Sequence, residues 1–598
     1  MRRSEHKREK LSLAAKFSRL KTRMGDPEWR RFAATIAVGK FLGLALLLAI
    51  VIVVPALISA SPQLVSGTPA YAQAPVDNMP GMAPAGNVLT GGAAPAAATT
   101  APSATMVMVS DLSDTAKNPL INPINTLWTL LGAFLVFGMQ VGFTMLEAGF
   151  CRSRETVNVL VECVFDTCLC GVLYYAFGYA FMFGGGNGFI GWHDPNDPSK
   201  SWFFLQNITA MSLYGATGIP VLAHWLFQFA FADCASTICS GTMIGRTGFV
   251  GDILYSICVS GFIYPIIGHW AWGPDGFLYT MGGKGMFLEM LGMNFHDFAG
   301  STVVHSIGGW IALAGGIVLG PRIGRRFKRD GGAPMLPHDL TIAVCGGLLL
   351  WFGWYGFNPG STLSAMDIGG IARVAANTTL AACAAGLTAV FFMYIRTGKW
   401  DAAAITNGFL AGLVAITCPC YWVSPLGSLI LGGIAGVIVL LAVDLLEYLR
   451  VDDPIGAWPV HGVCGVWGTL SLGLFASGEY AAAGSSNTGT PVVDAASNPA
   501  LTGLLYGGGV KVLAAQCIGS ATIVISTFAI AFAIFKVLDA VGILRISREG
   551  ELEGMDLHEH GISAYPEYVV TALAAPAGAA VNVSRSRPIK KSVHVSGK

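Results

Sequence analysis

Apolar residues gather in long unbroken runs along this chain rather than in the short alternations of a soluble core. Runs of spanning length recur at 124–148, 157–184, 218–243, 248–272, 299–320, 339–358, 371–395, 402–422, 425–448, 458–476 and 508–537. A bilayer core takes about 20 apolar helical residues, so the pattern predicts about eleven transmembrane helices in an all-α membrane domain over 124–540. Ahead of them, residues 1–31 are basic and polar, 41–60 are apolar, and 70–75 read Ala-Tyr-Ala-Gln-Ala-Pro. That order reads as a signal peptide within 1–72, cut after Ala72 rather than Ala74, because Pro75 directly follows the latter. An uncleaved anchor helix is the alternative, since the run is about long enough to span. Residues 73–123, rich in Ala, Pro, Thr and Gly, read as a flexible extracytoplasmic linker, and 541–598 as a cytoplasmic tail.

Composition agrees with the runs. Of 598 residues, 53% are hydrophobic and 12% charged, with a mean hydropathy of +0.59. The 76 glycines suit close helix–helix approach in a membrane. A net charge of +1 gives no footprint for nucleic acid. Most of the 13 cysteines sit inside apolar runs and read as small hydrophobes. The tight pairs Cys168/Cys170 and Cys418/Cys420 lack the histidines of a zinc or haem-attachment pattern, so no metal is assigned to them.

Charge in the loops sets orientation. Arg152, Arg154, Arg246, Arg322, Arg325, Arg326, Lys328, Arg329, Arg396, Lys399 and Arg450 fall in one class of loops. Only Lys200, Lys284, Arg373 and Lys511 fall in the other. The richer class marks the cytoplasmic side, with the mature N-terminus outside and the tail inside.

Two histidines lie inside apolar runs, where titratable groups are costly and usually functional. Their surroundings match: Val304-His305-Ser306-Ile307-Gly308-Gly309 and Val460-His461-Gly462-Val463-Cys464-Gly465. By the loop count one helix enters from each side, which predicts an inverted repeat bringing both rings together near mid-membrane. Three readings compete: two histidines each bonded to a carbonyl in a packed core, a pore lined by both, and a bis-histidine haem site. Aromatics also collect at the outer side. Phe227 and Phe231 are four apart on one helix face, Trp272 ends the fourth run, and Phe357 and Ser361 end the sixth. Aromatic faces and a hydroxyl suit a small cation, while an interfacial aromatic belt is the plainer reading of Trp272.

These stretches resemble the Amt/Mep/Rh ammonium transporter family, and its Amt branch more closely. The resemblance rests on Phe227–Phe231, Gly268–Gly273, Asp297–His305, Gly353–Ser361, Arg450–Pro454, Val460–Gly465 and the tail around Gly554-Met555-Asp556, covering about 124–566. It implies a five-plus-five inverted repeat with a final helix, assembled as a homotrimer in the cell (inner) membrane. It implies a transporter for ammonium or methylammonium rather than an enzyme, with no cofactor. By match, Trp272, Phe227, Phe231 and Ser361 form an outer ammonium site, Phe231 and Phe357 a gate, and His305 and His461 the pore pair. Asp297 shapes the outer mouth or simply caps its helix. The resemblance also implies a cytoplasmic surface for a PII signal protein, and it leaves open a same-fold sensor with little flux. Three positions depart from the family pattern: Ile244-Gly245-Arg246 replaces Ala-Glu-Arg, Asp233 replaces a neutral residue, and Gly456 stands where some members carry Asp. The first puts an inner-side contact in doubt.

Overall fold

The computed structural model describes residues 119–215, 218–480 and 501–566. The expected signal peptide, the expected linker up to residue 118 and the chain beyond 566 lie outside the described residues.

Every predicted apolar run falls on a helix. In chain order these are α1 Ile121–Phe150, α2 Thr156–Phe183, α3 Val221–Ser240, α4 Phe249–Trp272, α5 Ser301–Leu319, α6 Leu340–Phe357 and α7 Ile368–Thr397. They continue with α8 Ala402–Thr417, α9 Pro425–Leu449, α10 (Trp458–Val463 continued by Cys464–Phe475) and α11 Lys511–Ala540. Among the described residues, nine of the eleven are long and apolar enough to cross a membrane; α8 and α10 are shorter. Polar side chains fix several starts. Asp339, Asp367, Asp401 and Ser424 each accept backbone N–H bonds from the first turn of α6, α7, α8 and α9, which would otherwise be orphaned in a nonpolar setting.

Small residues let the helices close on one another. Helix α6 lies along α1, so closely that a Cβ at Gly346 would meet the Gly142 carbonyl oxygen at 2.6 Å. In lipid, where apolar tails compete with apolar side chains, such close backbone packing holds helices together. Two short helices follow α11: α12 Arg548–Glu553 and α13 Met555–His560.

The all-α expectation missed short strands in the loop between α2 and α3. β1 Gly185–Asn187, β2 Ile190–Asp194 and β3 Asp197–Ser201 form an antiparallel sheet, and β4 Leu213–Tyr214 pairs with β5 Ile219–Pro220. Strands of two to five residues among Gly, Asn, Asp and Pro carry too few alternations to register as a pattern.

The arginine-rich loops converge at the other ends of the helices. Asp452 takes a bidentate bond from Arg322 (Nε 2.8 Å, Nη2 3.0 Å) and a further bond from Arg325, which also pairs with Glu447. Burial alone would raise the Asp452 carboxyl; Arg322 and Arg246 override it and hold it well below the usual carboxylate range. The tail is tied to the same loops. Glu551 accepts from Arg545 and from the backbone N–H of Ile323, and Asp556 accepts from the Asn158 N–H.

The two glycine departures have local reasons. Gly245 and Gly456 both take left-handed backbone (φ +82° each), which favours glycine. At Gly245 the Glu155 carboxylate fills the space a side chain would need, 2.6 Å from an added Cβ. Beside it, Arg246 is fully buried and donates to the carbonyls of Gly320, Ile244 and Asp452.

Candidate functional site

Helices α5 and α10 are built alike where the two histidines sit. Each opens with a widened π turn, Ser301–Ser306 and Trp458–Val463. Each is preceded by an aspartate that gathers its orphan N–H groups. Asp297 accepts from Gly300, Ser301, Thr302 and Val303. Asp453 accepts from Gly456, Ala457 and Trp458. The separation from aspartate to histidine is the same, 297 to 305 and 453 to 461, eight residues in each. The two helices touch backbone to backbone: a Cβ at Gly309 would lie 2.2 Å from the Gly462 nitrogen, and one at Gly465 would lie 2.3 Å from the Ser301 carbonyl oxygen. π turns cluster at functional sites because they re-aim side chains out of the regular helical register.

This construction brings the rings together. His305 and His461 face one another through their Nδ1 atoms at 3.2 Å, with ring centroids 5.3 Å apart. His305 packs against Trp354 and Phe357 at 5.0 and 5.2 Å, and those two rings lie 5.4 Å from each other. Its Nε2 has no protein partner, although the residue is fully buried. Phe143 lies 6.4 Å from His461. The bis-histidine haem reading does not fit this arrangement. The facing nitrogens bond to each other where iron would sit, and aromatic rings fill the space a macrocycle needs.

The aromatic residues form a file leading to the pair. Phe357, which stacks on His305, also stacks on Phe231 at 4.1 Å. Phe231 meets Phe227 at 4.7 Å and the edge of Trp272 at 6.3 Å. All four rings are fully buried. Trp272 is therefore no belt residue; its indole N–H donates to the Asp297 carbonyl at 2.8 Å, which ties the ring to the cap of α5. Ser361 lies in the 3-10 turn Pro359–Thr362 after α6 and donates to the Phe357 carbonyl at 2.7 Å. Of the expected site residues, Trp272 and Phe227 both meet Phe231, and contacts continue from Phe231 through Phe357 and His305 to His461; Ser361 and Asp297 lie beside this path, bonded to the Phe357 carbonyl and the Trp272 indole. Asp297 does act as a cap, and it also holds Trp272 through its backbone.

Comparison with known proteins identifies the architecture. A sequence profile of the Ammonium Transporter Family matches residues 127–565. This chain belongs to that family. Ammonium transporter Amt2 of Archaeoglobus fulgidus is 39% identical over 463 residues, covering 76% of this chain and 91% of Amt2. Ammonium transporter 1 member 3 of Solanum lycopersicum is 37% identical over 458 residues, covering 74% and 93%. Among solved structures, one described as a sensor Amt protein is 33% identical, with a TM-score of 0.62, covering 74% of this chain and 99% of that one. Candida albicans Mep2 is 28% identical, with the same TM-score of 0.62, covering 76% and 93%. The protein is thus a multi-pass membrane protein with the ammonium transporter fold.

Two participants escaped the sequence reading. Asp453 is the counterpart of Asp297, and the shared eight-residue spacing to histidine was the available signal. Trp354 forms one wall of His305 and donates to Thr417 Oγ1 at 2.9 Å; nothing in the sequence marks it apart from other buried tryptophans.

Proposed function

We propose that this chain recruits ammonium (or methylammonium) at the aromatic mouth, strips a proton from it near the Phe231/Phe357 gate, and conducts ammonia past His305 and His461. The observation that carries this reading is the unbroken file of aromatic rings ending on a directly bonded histidine pair. Trp272, Phe227 and Phe231 offer π faces to a cation that has lost water, and Ser361 adds a hydroxyl. Beyond them a bare cation in an apolar bore is very costly, whereas neutral ammonia is not. The imidazoles then present one donor and one acceptor to a molecule that is both. Asp297 adds negative charge at the mouth. The loop charges support an outer mouth and a cytoplasmic tail.

An ammonium concentration jump on proteoliposomes tests the reading, with a sodium jump as control. An ammonium-selective current, or a rise of internal pH without current, supports transport. Neither signal would favour the same-fold sensor. The homotrimer and the PII partner belong to this reading as well. Loop Arg322–Arg329, clamped to the tail by Glu551, is the surface a PII protein would press on. Cross-linking that traps three subunits and a nucleotide-dependent pull-down with PII test these two points.

A further inference from the structure

Helix α11 is apolar along most of its length, yet it carries a glutamine, Gln516, with no exposed surface. A buried amide costs free energy unless its hydrogen bonds are made. Gln516 makes them with the main chain of a single residue. Its Oε1 accepts the His296 N–H at 2.9 Å, and its Nε2 donates to the His296 carbonyl at 2.6 Å. Nε2 also donates to the Thr469 carbonyl of α10 at 3.3 Å. The Cys418 thiol, just past α8, donates to the same His296 carbonyl at 3.3 Å. Two further positions on this face of α11, three and four residues on, grip the same stretch of chain. A Cβ at Gly519 would collide with the Phe295 ring, so that ring fills a space only glycine leaves. The Ser520 hydroxyl meets that of Thr302 at 3.2 Å. One helix face thus holds residues 295, 296 and 302, and Asp297 lies within that stretch.

The same stretch carries the aromatic mouth, because the Asp297 carbonyl receives the Trp272 indole N–H at 2.8 Å. The His296 N–H and carbonyl belong to two successive planar peptides, and Gln516 fixes both. The Asp297 carbonyl follows one residue later. Gln516 therefore acts on Trp272 through the main chain. The other half of the pore uses the same device with a different group. Ahead of Asp453, the Asp452 carbonyl accepts from the buried guanidinium of Arg246 at 2.7 Å. In each half, a buried side chain from elsewhere in the chain holds the carbonyl of the residue before the capping aspartate. At the mouth that side chain is a neutral amide. A guanidinium there would repel the cation that the aromatic faces attract.

We propose that Gln516 is a positioning residue of the outer cation site: its clamp on His296 sets the Asp297 carbonyl, and through it the Trp272 ring that ammonium meets. The inference deepens the proposed ammonium transport and rests on it. Without the clamp, the Asp297 carbonyl and the Trp272 ring are free to shift, and the cation loses part of its π face. The π turn that aims His305 keeps holds of its own. The Asp297 carboxylate still gathers its N–H groups, and the Ser301 hydroxyl still donates to the Val414 carbonyl and accepts from the Cys418 N–H, both at 2.7 Å. Gln516 therefore sets the affinity of the mouth rather than the rate of passage beyond the gate.

The test is methylammonium uptake by the full-length protein in proteoliposomes, measured to saturation. Gln516→Met keeps the length and the apolar fill and removes both bonds to His296. The apparent KM should rise about tenfold while maximal uptake stays within about twofold. A double-mutant cycle with Trp272→Phe, which keeps a ring but removes the indole N–H, separates positioning from general loosening. In that background Gln516→Met should raise KM by less than about twofold more, because the link to Asp297 is already cut. Gly519→Ala, whose added Cβ displaces the Phe295 ring, serves if Gln516→Met fails to fold by size exclusion, and should show the same rise and the same non-additivity. An unchanged KM in a folded variant overturns the proposal. So does a fall in maximal uptake at constant KM, or full additivity with Trp272→Phe. Saturable uptake by wild type keeps the transporter reading whatever the variants do; wild-type protein without it removes both.

Discussion

The Nδ1 atoms of His305 and His461 lie 3.2 Å apart and share a single hydrogen bond. One ring must donate there and the other accept. The ring that donates from Nδ1 then offers a lone pair at Nε2, and the ring that accepts offers an Nε2–H. The pair is thus locked into complementary tautomers, and charging both rings would set two N–H groups against each other. That asymmetry suits ammonia, which needs a donor and an acceptor in succession.

Replacing both histidines with alanine removes this donor–acceptor pair and any relay through it. The ammonium-driven current of His305→Ala/His461→Ala should fall to the level of empty liposomes. A current equal to wild type would show that the imidazoles carry no proton.

The ring stack of Phe231 on Phe357 at 4.1 Å leaves no passage for an ion with its water. Phe231→Ala/Phe357→Ala opens that stack and lets hydrated ions approach the histidines. Selectivity should suffer most, with potassium-driven current rising from background toward the ammonium current. An unchanged current ratio would place the barrier elsewhere.

Asp297 and Asp453 hold equivalent helix starts, but only Asp297 sits at the aromatic mouth. Replacing either with alanine exposes several backbone N–H groups and should cost about 1–2 kcal/mol of stability, read as a lower Tm. Burial pushes the Asp297 carboxyl up to about 6, against the pull of its four backbone N–H bonds. Above that pH it is charged and favours a cation; as pH falls through about 6 it takes up a proton and that attraction is lost. The apparent affinity for methylammonium should weaken below pH 6 in wild type. In Asp297→Asn it should be weak and flat across the same window. A pH profile identical in both proteins would assign Asp297 to helix capping alone.

Much of this was legible in the sequence because the bilayer reduces secondary structure to one motif. Eleven apolar runs gave eleven helices; where a cap such as Asp401 or Ser424 sets the start, the run begins on the helix's first residue, and other ends differ by a few residues. The histidines were legible because a titratable residue in an apolar run stands out, and because the Val-His repeat made two of them one observation. What stayed hidden depends on three-dimensional register. The π turns come from Asp297 and Asp453 gathering several N–H groups at once, which no local pattern encodes. Trp354 becomes the wall of His305 only once α6 closes against its neighbours. Asp233 was visible as an unusual carboxylate, but its full burial depends on how α3 packs against α1 and α2.

The last prediction concerns the arginine-rich face. Asp452 is buried and bonded to Arg322 and Arg325, while Arg246 binds its backbone carbonyl. Removing the carboxylate leaves buried guanidinium groups uncompensated, so Asp452→Asn should destabilise the protein by about 3–5 kcal/mol. The pH dependence follows from the sign of the shift. A carboxyl held below its unfolded value stabilises the fold fully above that value, near 4, and the stabilisation is lost as pH falls below it. Thermal unfolding in detergent should show wild type losing its advantage over Asp452→Asn only below about pH 4. An advantage constant down to pH 2, or none at neutral pH, would mean that the arginines are held by other partners. Glu447, which also binds Arg325, is the first to test by Glu447→Gln.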